Sequence, residues 1–110
     1  MLRNIHFFNI KSEVNEERIL RLLDNEIAEY AKAFGCIERK TWKLLSAHVQ
    51  GQPAQSAAYM NESLWPSQKE ADAFTQAFRE DPPEKVEKAY AEVQAGIDPE
   101  KTVRYVDEEG

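Results

Sequence analysis

Cysteine is almost absent from this sequence: Cys36 is the only one. A disulfide framework within one chain is therefore excluded. Apart from that cysteine, the sequence has only two histidines. These are too few ligands to predict a dedicated transition-metal site. The longest purely apolar run is a few residues, far below the roughly 20 that a membrane-spanning helix needs. The first residues lack the pattern of a secretion signal. These absences favour the cytoplasm, and we expect no membrane partner.

Basic residues are in the minority, with 14 Lys and Arg against 20 Asp and Glu, for a formal charge of −6. Such a chain repels phosphate backbones, so we expect no nucleic acid partner. The sequence also has no glycine-rich phosphate loop and no recognisable Ser-His-Asp spacing. It therefore predicts no cofactor.

What remains is the composition of an ordinary globular protein. The 110 residues include 42% hydrophobic and 31% charged residues, without repeats or low-complexity segments. This length suits one domain with one modest core. We therefore expect a single domain over residues 1–110.

Four segments have the character of β-strands. Residues 2–11 are rich in β-formers and carry large apolar groups on both alternating faces, as a central strand covered on two sides would. Further strands are predicted over 36–45, 56–65 and 102–106. The segment 46–55 contains Gly51 and Pro53 and predicts a loop.

Three helices are predicted from capping residues and apolar spacing. The first begins after Asn15 and ends at Gly35, with a stripe made of Ile19, Leu23, Ile27, Tyr30 and Phe34. The second begins at the capping box that Ser67 opens. For the third, Asp81 is the expected cap, Pro82 the first helical residue and Gly96 the end.

The resulting order, βαββααβ, predicts an α+β, ferredoxin-like fold. In that fold the first and third strands are central in a four-stranded antiparallel sheet, with the helices on one face. The other face still carries apolar groups, and a chain this short has no element left to cover it. A second copy is the economical cover, so we expect a homodimer that forms a dimeric α/β barrel.

The layout and the opening residues Met1–Lys11 resemble the stress-responsive dimeric α/β-barrel (Dabb) family. The resemblance covers nearly the whole chain and includes Lys11 at the end of the first strand, Gly35 before the second, and a helix break at Asp81-Pro82. Antibiotic-biosynthesis monooxygenases and haem-degrading proteins share this architecture.

The resemblance implies particular site residues, and the chain departs from several of them. Catalytic Dabb members use a first-strand histidine, which aligns with Asn4, and a second near the helix break, where this chain has none. His6, on the same face as Asn4, could substitute. The haem-degrading relatives have a strand-one Asn and a late strand-three Trp, as Asn4 and Trp65 are here. No histidine follows Trp65 to bind the iron, so we expect no haem.

His6, Asn4 and Tyr59 are the candidate catalytic residues. A neutral His6 imidazole in a cleft could act as a general base, with Asn4 and Tyr59 positioning a substrate. The alternatives are a hydrogen-bonded core histidine and a packed tyrosine. Trp42 and Trp65 either line an aromatic pocket or pack in the core or an interface.

The remaining polar candidates carry weaker signals. Arg39, Lys40 and Lys43 form a basic cluster that could hold a carboxylate. Alternation separates Lys40 from the other two, which favours a solvated edge strand instead. Cys36 is expected to be a buried, inert thiol. His48 lies in the predicted loop and is expected to be solvated.

The sequence thus leaves two functions open. One is cofactor-free chemistry, cyclase- or monooxygenase-like, on a small aromatic or polyketide-like molecule in a mostly apolar pocket between sheet and helices. The other is a non-catalytic small-molecule-binding or stress-response dimer. The two differ in whether the space beside His6 is open or filled by side chains.

Overall fold

The computed structural model of the protein describes residues 1–44 and 58–107, with the backbone alone for residues 100–107. The elements are β1 (Leu2–Ile10), α1 (Glu16–Leu22), a π-helical segment (Leu23–Ile27), α2 (Ala28–Ala33), β2 (Glu38–Lys43), β3 (Tyr59–Trp65), α3 (Gln68–Glu80), α4 (Glu84–Gly96) and β4 (Ile97–Asp107). The predicted loop 46–55 and the start of the predicted third strand lie outside the described residues. None of the helices in these ranges is long and apolar enough to cross a membrane.

The four strands form one antiparallel sheet in the order β2-β3-β1-β4. The first and third strands are central, as predicted. With the helices that connect them, the strands make the predicted ferredoxin-like α+β fold. This placement matters for function because β1 and β3 contribute neighbouring side chains to the middle of the sheet.

The two faces of the sheet have different surroundings. Phe8, Tyr59 and Trp65 point to the helices and belong to the buried clusters there. Ile5 and Met60, on the opposite face by alternation, belong to neither cluster. The smallest extent of the molecule is 19 Å, which accommodates one sheet and one layer of helices. We call the side that carries Ile5 and Met60 the open face.

The ends of the first helical run follow the prediction. The Asn15 side chain accepts a hydrogen bond from the Arg18 backbone N–H at 3.1 Å, as an N-cap does. Gly35 terminates the run with φ of 101°, a conformation that favours glycine. Ser67 likewise caps α3, accepting from the Lys69 backbone N–H at 3.3 Å.

The middle of that run differs from the prediction because the segment Leu23–Ile27 is π-helical. A π turn holds an extra residue, so the apolar face rotates relative to uniform α spacing. The buried positions are Ile19, Leu22, Leu23, Ile27, Ala28 and Ala31. Tyr30 and Phe34, predicted in the stripe, lie half-buried in an aromatic cluster with Phe74.

Two predicted boundaries are wrong. Pro83 occupies the N-cap of α4, and Asp81 ends α3 instead of starting α4. The residue before a proline avoids the helical region, so Pro82-Pro83 delays the helix. The last strand begins at Ile97, not at 102. Pro99 is tolerated because β4 is an edge strand, where a missing N–H costs little.

Gly96, at the end of α4, lies against the side chain of Ile19 on α1. A Cβ built there lies 2.9 Å from Ile19 Cδ1, and Ile19 is almost completely buried. We expect Gly96→Ala to lower the free energy of unfolding by about 1–3 kcal/mol, the cost of overpacking. Helix propensity alone predicts the opposite sign. The measurement is urea denaturation followed by circular dichroism.

The matched control is the same substitution in an Ile19→Val background, where the clashing methyl group is gone. In that background, the loss of unfolding free energy caused by Gly96→Ala should be well under half of the loss in the wild-type background. An equal cost in both backgrounds would show that the contact with Ile19 is not the reason for glycine at this position.

Candidate functional site

A pocket of about 660 Å³ lies between the helix side of the sheet and helices α3 and α4. Small-molecule sites typically enclose about 300–1,000 Å³. Its floor is polar and comprises Asn4, His6, Arg39, Asn61 and Ser63. Its wall is aromatic, with contributions from Trp65, Phe74, Phe78 and Tyr90. The space beside His6 is therefore open and not filled by side chains.

The strand register explains why the floor is polar. Two neighbouring rows of side chains cross β2, β3 and β1 on the helix side. One row is Arg39, Ser63 and Asn4, and the other is Thr41, Asn61 and His6. Residues opposite each other on paired strands have Cβ atoms about 5 Å apart, so these polar groups form one continuous surface. Next to His6 the pairing of β1 with β4 shifts register.

A chain of hydrogen bonds orients Asn61. The Thr41 hydroxyl donates to Asp24 Oδ1 at 2.8 Å, and Asn61 Nδ2 donates to Thr41 Oγ1 at 2.8 Å. The amide nitrogen is thus engaged on the β2 side. Asn61 Oδ1 is buried without a hydrogen-bond partner. The neighbour of Asn61 on β1 is His6.

His6 keeps much of its surface accessible from the pocket, although protein atoms surround the ring. Loss of hydration lowers the pKa of His6 below its ordinary 6.5, and the positive charge of Arg39 lowers it further. At neutral pH the imidazole is therefore uncharged. One of its nitrogens then has a free lone pair that can accept a proton.

Three buried polar atoms of the floor have no hydrogen-bond partner among the described residues: Asn4 Oδ1, Asn61 Oδ1 and Arg39 Nε. Such atoms are rare in folded proteins, where buried polar groups are nearly always paired. Ser63, by contrast, accepts from Trp65 Nε1 at 3.0 Å. All three atoms belong to residues that line one pocket, whose floor therefore offers both donors and acceptors.

Of the predicted catalytic residues, the structure brings Asn4 and His6 together and places Tyr59 elsewhere. The Tyr59 ring is buried and stacks on Phe8, with centroids 5.5 Å apart. Burial, and then the Glu16 carboxylate, raise the pKa of its hydroxyl. Tyr59 is not among the residues that line the pocket.

The two tryptophans separate. Trp65 is 1% exposed and forms part of the pocket wall. Trp42 is 42% exposed on the open face, where its ring lies 4.0 Å from Lys40 Nζ and its Nε1 donates to Glu62 at 3.1 Å. The predicted pocket role therefore suits Trp65 alone.

The basic cluster divides between the faces, as alternation predicted. Lys40 contacts Trp42 on the open face, and Lys43 pairs with Glu16 at 3.2 Å in an exposed position. Arg39 differs from the predicted solvated edge because it lies under the pocket. Cys36 is buried as expected, and burial raises the pKa of its thiol. His48 lies outside the described residues.

Sequence reasoning missed Asn61 and Ser63 as site residues, and it considered Arg39 only as a member of the basic cluster. Asn61 and Ser63 follow Tyr59 at every second position of β3, so alternation predicts that the three side chains lie on one face of the sheet. That these positions meet Asn4 and His6 depends on strand register, which no local pattern specifies. Within residues 1–44 and 58–99, no group of three or more His, Cys, Asp and Glu side chains could hold a metal ion.

No protein-family model and no curated protein matches the chain. Solved structures do match. A protein of Arabidopsis thaliana aligns with a TM-score of 0.64 at 11% identity, covering 97% of this chain and 92% of that one. An antibiotic biosynthesis monooxygenase aligns with a TM-score of 0.56 at 18% identity, covering 97% of each chain.

A hydroxynitrile lyase from Passiflora edulis aligns with a TM-score of 0.57 at 19% identity, covering 97% of this chain and 94% of that one. At such identities the likeness establishes the fold and leaves the chemistry open. The resemblance expected from the sequence, to proteins of the dimeric α/β-barrel type, is confirmed at the level of the fold.

Proposed function

We propose that the pocket binds a small aromatic molecule and that neutral His6 acts on it as a general base, without a cofactor. The observation that carries this proposal is an accessible, uncharged imidazole beside three unpaired polar atoms under an aromatic wall. Asn4 would position the substrate. A role for Tyr59 in positioning stays a prediction.

The chemistry follows from the tautomer of His6. If Asn61 Oδ1 accepts the N–H of one ring nitrogen, the other nitrogen has its lone pair directed at the ligand. Such a base removes a proton from carbon or oxygen, and the electrons move onto a carbonyl oxygen of the substrate. Cyclisation and oxygenation of aromatic or polyketide-like substrates both begin with such an anion.

Two structural neighbours support this proposal by analogy. One is named a monooxygenase and the other a lyase, so related folds are found among enzymes that act on small molecules. The alternative is a binding protein that holds the same kind of molecule without reaction. Both functions use the same pocket, and a test of proton abstraction separates them.

We also infer that the protein is a homodimer joined through the open face. Ile5, Phe7 and Met60 lie on this side of the central strands, and Trp42 adds an exposed ring at its edge. Apolar surface of this kind is usually an interface. A cytoplasmic location and a stress-responsive role stay predictions.

The general base is tested with benzisoxazole, a probe whose ring opens when a base takes its C–H proton. The electrons of the C–H bond form the nitrile, the N–O bond breaks, and the ring oxygen takes the negative charge, so the single product is 2-cyanophenolate, which is followed by its ultraviolet absorbance. We expect the protein to accelerate this reaction and His6→Gln to lose about 100-fold of the rate. The rate should rise with pH through the lowered pKa of His6 and level off above it, because only the neutral imidazole accepts the proton.

His48→Gln is the matched control, since it removes the other histidine of the sequence. Circular dichroism of each variant reports whether the fold is retained. If His6→Gln and His48→Gln react at the wild-type rate, His6 is not the base. If the wild-type protein binds cinnamamide, an uncharged aromatic amide, but does not accelerate ring opening, the binding function replaces the catalytic one.

A further inference from the structure

We propose that Arg39 makes this pocket selective for an aromatic carboxylate, held with its carboxylate on the guanidinium and its ring against the aromatic wall. The inference rests on the proposed function, since it concerns the same pocket and names the class of ligand. Arg39 is assigned here as the anion-binding residue.

Arg39 is a half-buried cation without a partner among the described residues. Its Nε is buried and makes no hydrogen bond, and no ion pair to Arg39 is found among the described residues. Burial lowers the pKa of its guanidinium, while the charge of Asp24 opposes that effect only in part. The Asp24 carboxylate is exposed and accepts from Thr41. An unpaired cation is costly away from water, and a bound anion removes that cost.

The shape of the donor also favours a carboxylate. A guanidinium presents parallel N–H groups in one plane, which match the two oxygens of a carboxylate. Nε is one of those donors, and it is the atom that lacks a partner here. A planar carboxylate therefore fits better than a spherical anion.

The position of Arg39 relative to His6 sets the length of the ligand. Their side-chain rows lie about 7 Å apart along the strands, and β3 separates β2 from β1, which adds about 10 Å across the sheet. The charge of Arg39 nevertheless acts on His6, so the long arginine side chain covers part of this distance and an aromatic carboxylate covers the rest. With the carboxylate on Arg39, the far side of the ring lies near His6, and Phe74 and Phe78 pack against its face.

Other charges at the pocket do not replace Arg39. Arg79, Glu80, Asp81 and Glu87 line the pocket at its mouth, and all four are exposed. Exposed charges are screened by water and salt, so their effect on a ligand beside Arg39 is small. Three of these four are acidic, and they oppose rather than explain any preference for an anion.

The experiment compares cinnamate with cinnamamide, which have the same shape and differ in charge. Binding is measured by calorimetry at pH 8, where His6 is uncharged. We expect cinnamate to bind at least about tenfold more tightly than cinnamamide. In Arg39→Met this preference should fall to less than about twofold, with the affinity for cinnamamide retained.

Arg79→Met is the matched control, because it removes the exposed arginine from the same pocket and should leave the preference intact. If Arg39→Met does not fold, Arg39→Lys keeps the charge without Nε and should lose most of the preference. Equal wild-type affinities for the two probes would overturn the role of Arg39 and leave the aromatic pocket standing. Failure of both probes to bind would overturn the proposed function together with this inference.

Discussion

Trp65→Ala should lower the free energy of unfolding by about 3–5 kcal/mol, the usual cost of removing a buried large aromatic side chain. Trp65 is 1% exposed, and its ring centroid lies 5.3 Å from that of Phe74. It packs against Ala31, Cys36 and Ala71, which are too small to fill the space that it would leave. A typical domain is stable by only about 5–15 kcal/mol, so this variant should be close to unfolding.

Urea denaturation followed by circular dichroism gives the change. Trp65→Phe keeps a ring and loses the hydrogen bond to Ser63, so it should cost about half as much. Tyr90→Ala is the exposed control: Tyr90 is 41% exposed and meets Phe78 edge to face, a contact worth about 1 kcal/mol. Equal losses for Trp65→Ala and Tyr90→Ala would contradict the central place of Trp65 in the core.

Size-exclusion chromatography with light scattering should give about twice the chain mass of 12.7 kDa at micromolar concentration. Met60→Glu should return the mass to that of one chain. The substitution places a charge on the open face, opposite Phe7 on β1 and Trp42 on β2. A charge buried in an apolar interface without a partner weakens association by at least about 100-fold.

Met60→Leu is the control, because it keeps the face apolar at nearly the same volume and should remain dimeric. A circular dichroism spectrum like that of the wild type would show that Met60→Glu remains folded. A wild-type protein with the mass of one chain at this concentration would contradict the proposed interface.

The features that follow from short-range chemistry were predictable. Asn15 and Ser67 cap helices because their side chains bond to backbone groups within three residues. Gly35 ends a helix because of its own conformational freedom. The order of the strands followed from the number and spacing of the elements, since few folds accommodate βαββααβ.

The features that depend on distant residues were not predictable in the same way. The π turn at Leu23–Ile27 has no signature in its own residues, and it rotates the apolar face between α1 and α2. Arg39 looked like part of a solvated edge because its two basic neighbours are solvated. Its place under the pocket depends on the neighbouring strand with Ser63 and on the helices above it, which a single strand does not reveal.

The alternation of β1 has a consequence for two chains that act together. Asn4 and His6 point to the helix side, while Ile5 and Phe7 point to the open face. In a pair joined through the open face, the two pockets would lie on outward-facing sides, away from the contact between the chains. Occupancy of one pocket then adds or removes no contact in the other, so saturation follows a simple hyperbola. For the same reason, a dimer of one inactive and one wild-type chain should have half of the activity of the wild-type dimer, because the wild-type chain keeps its own pocket.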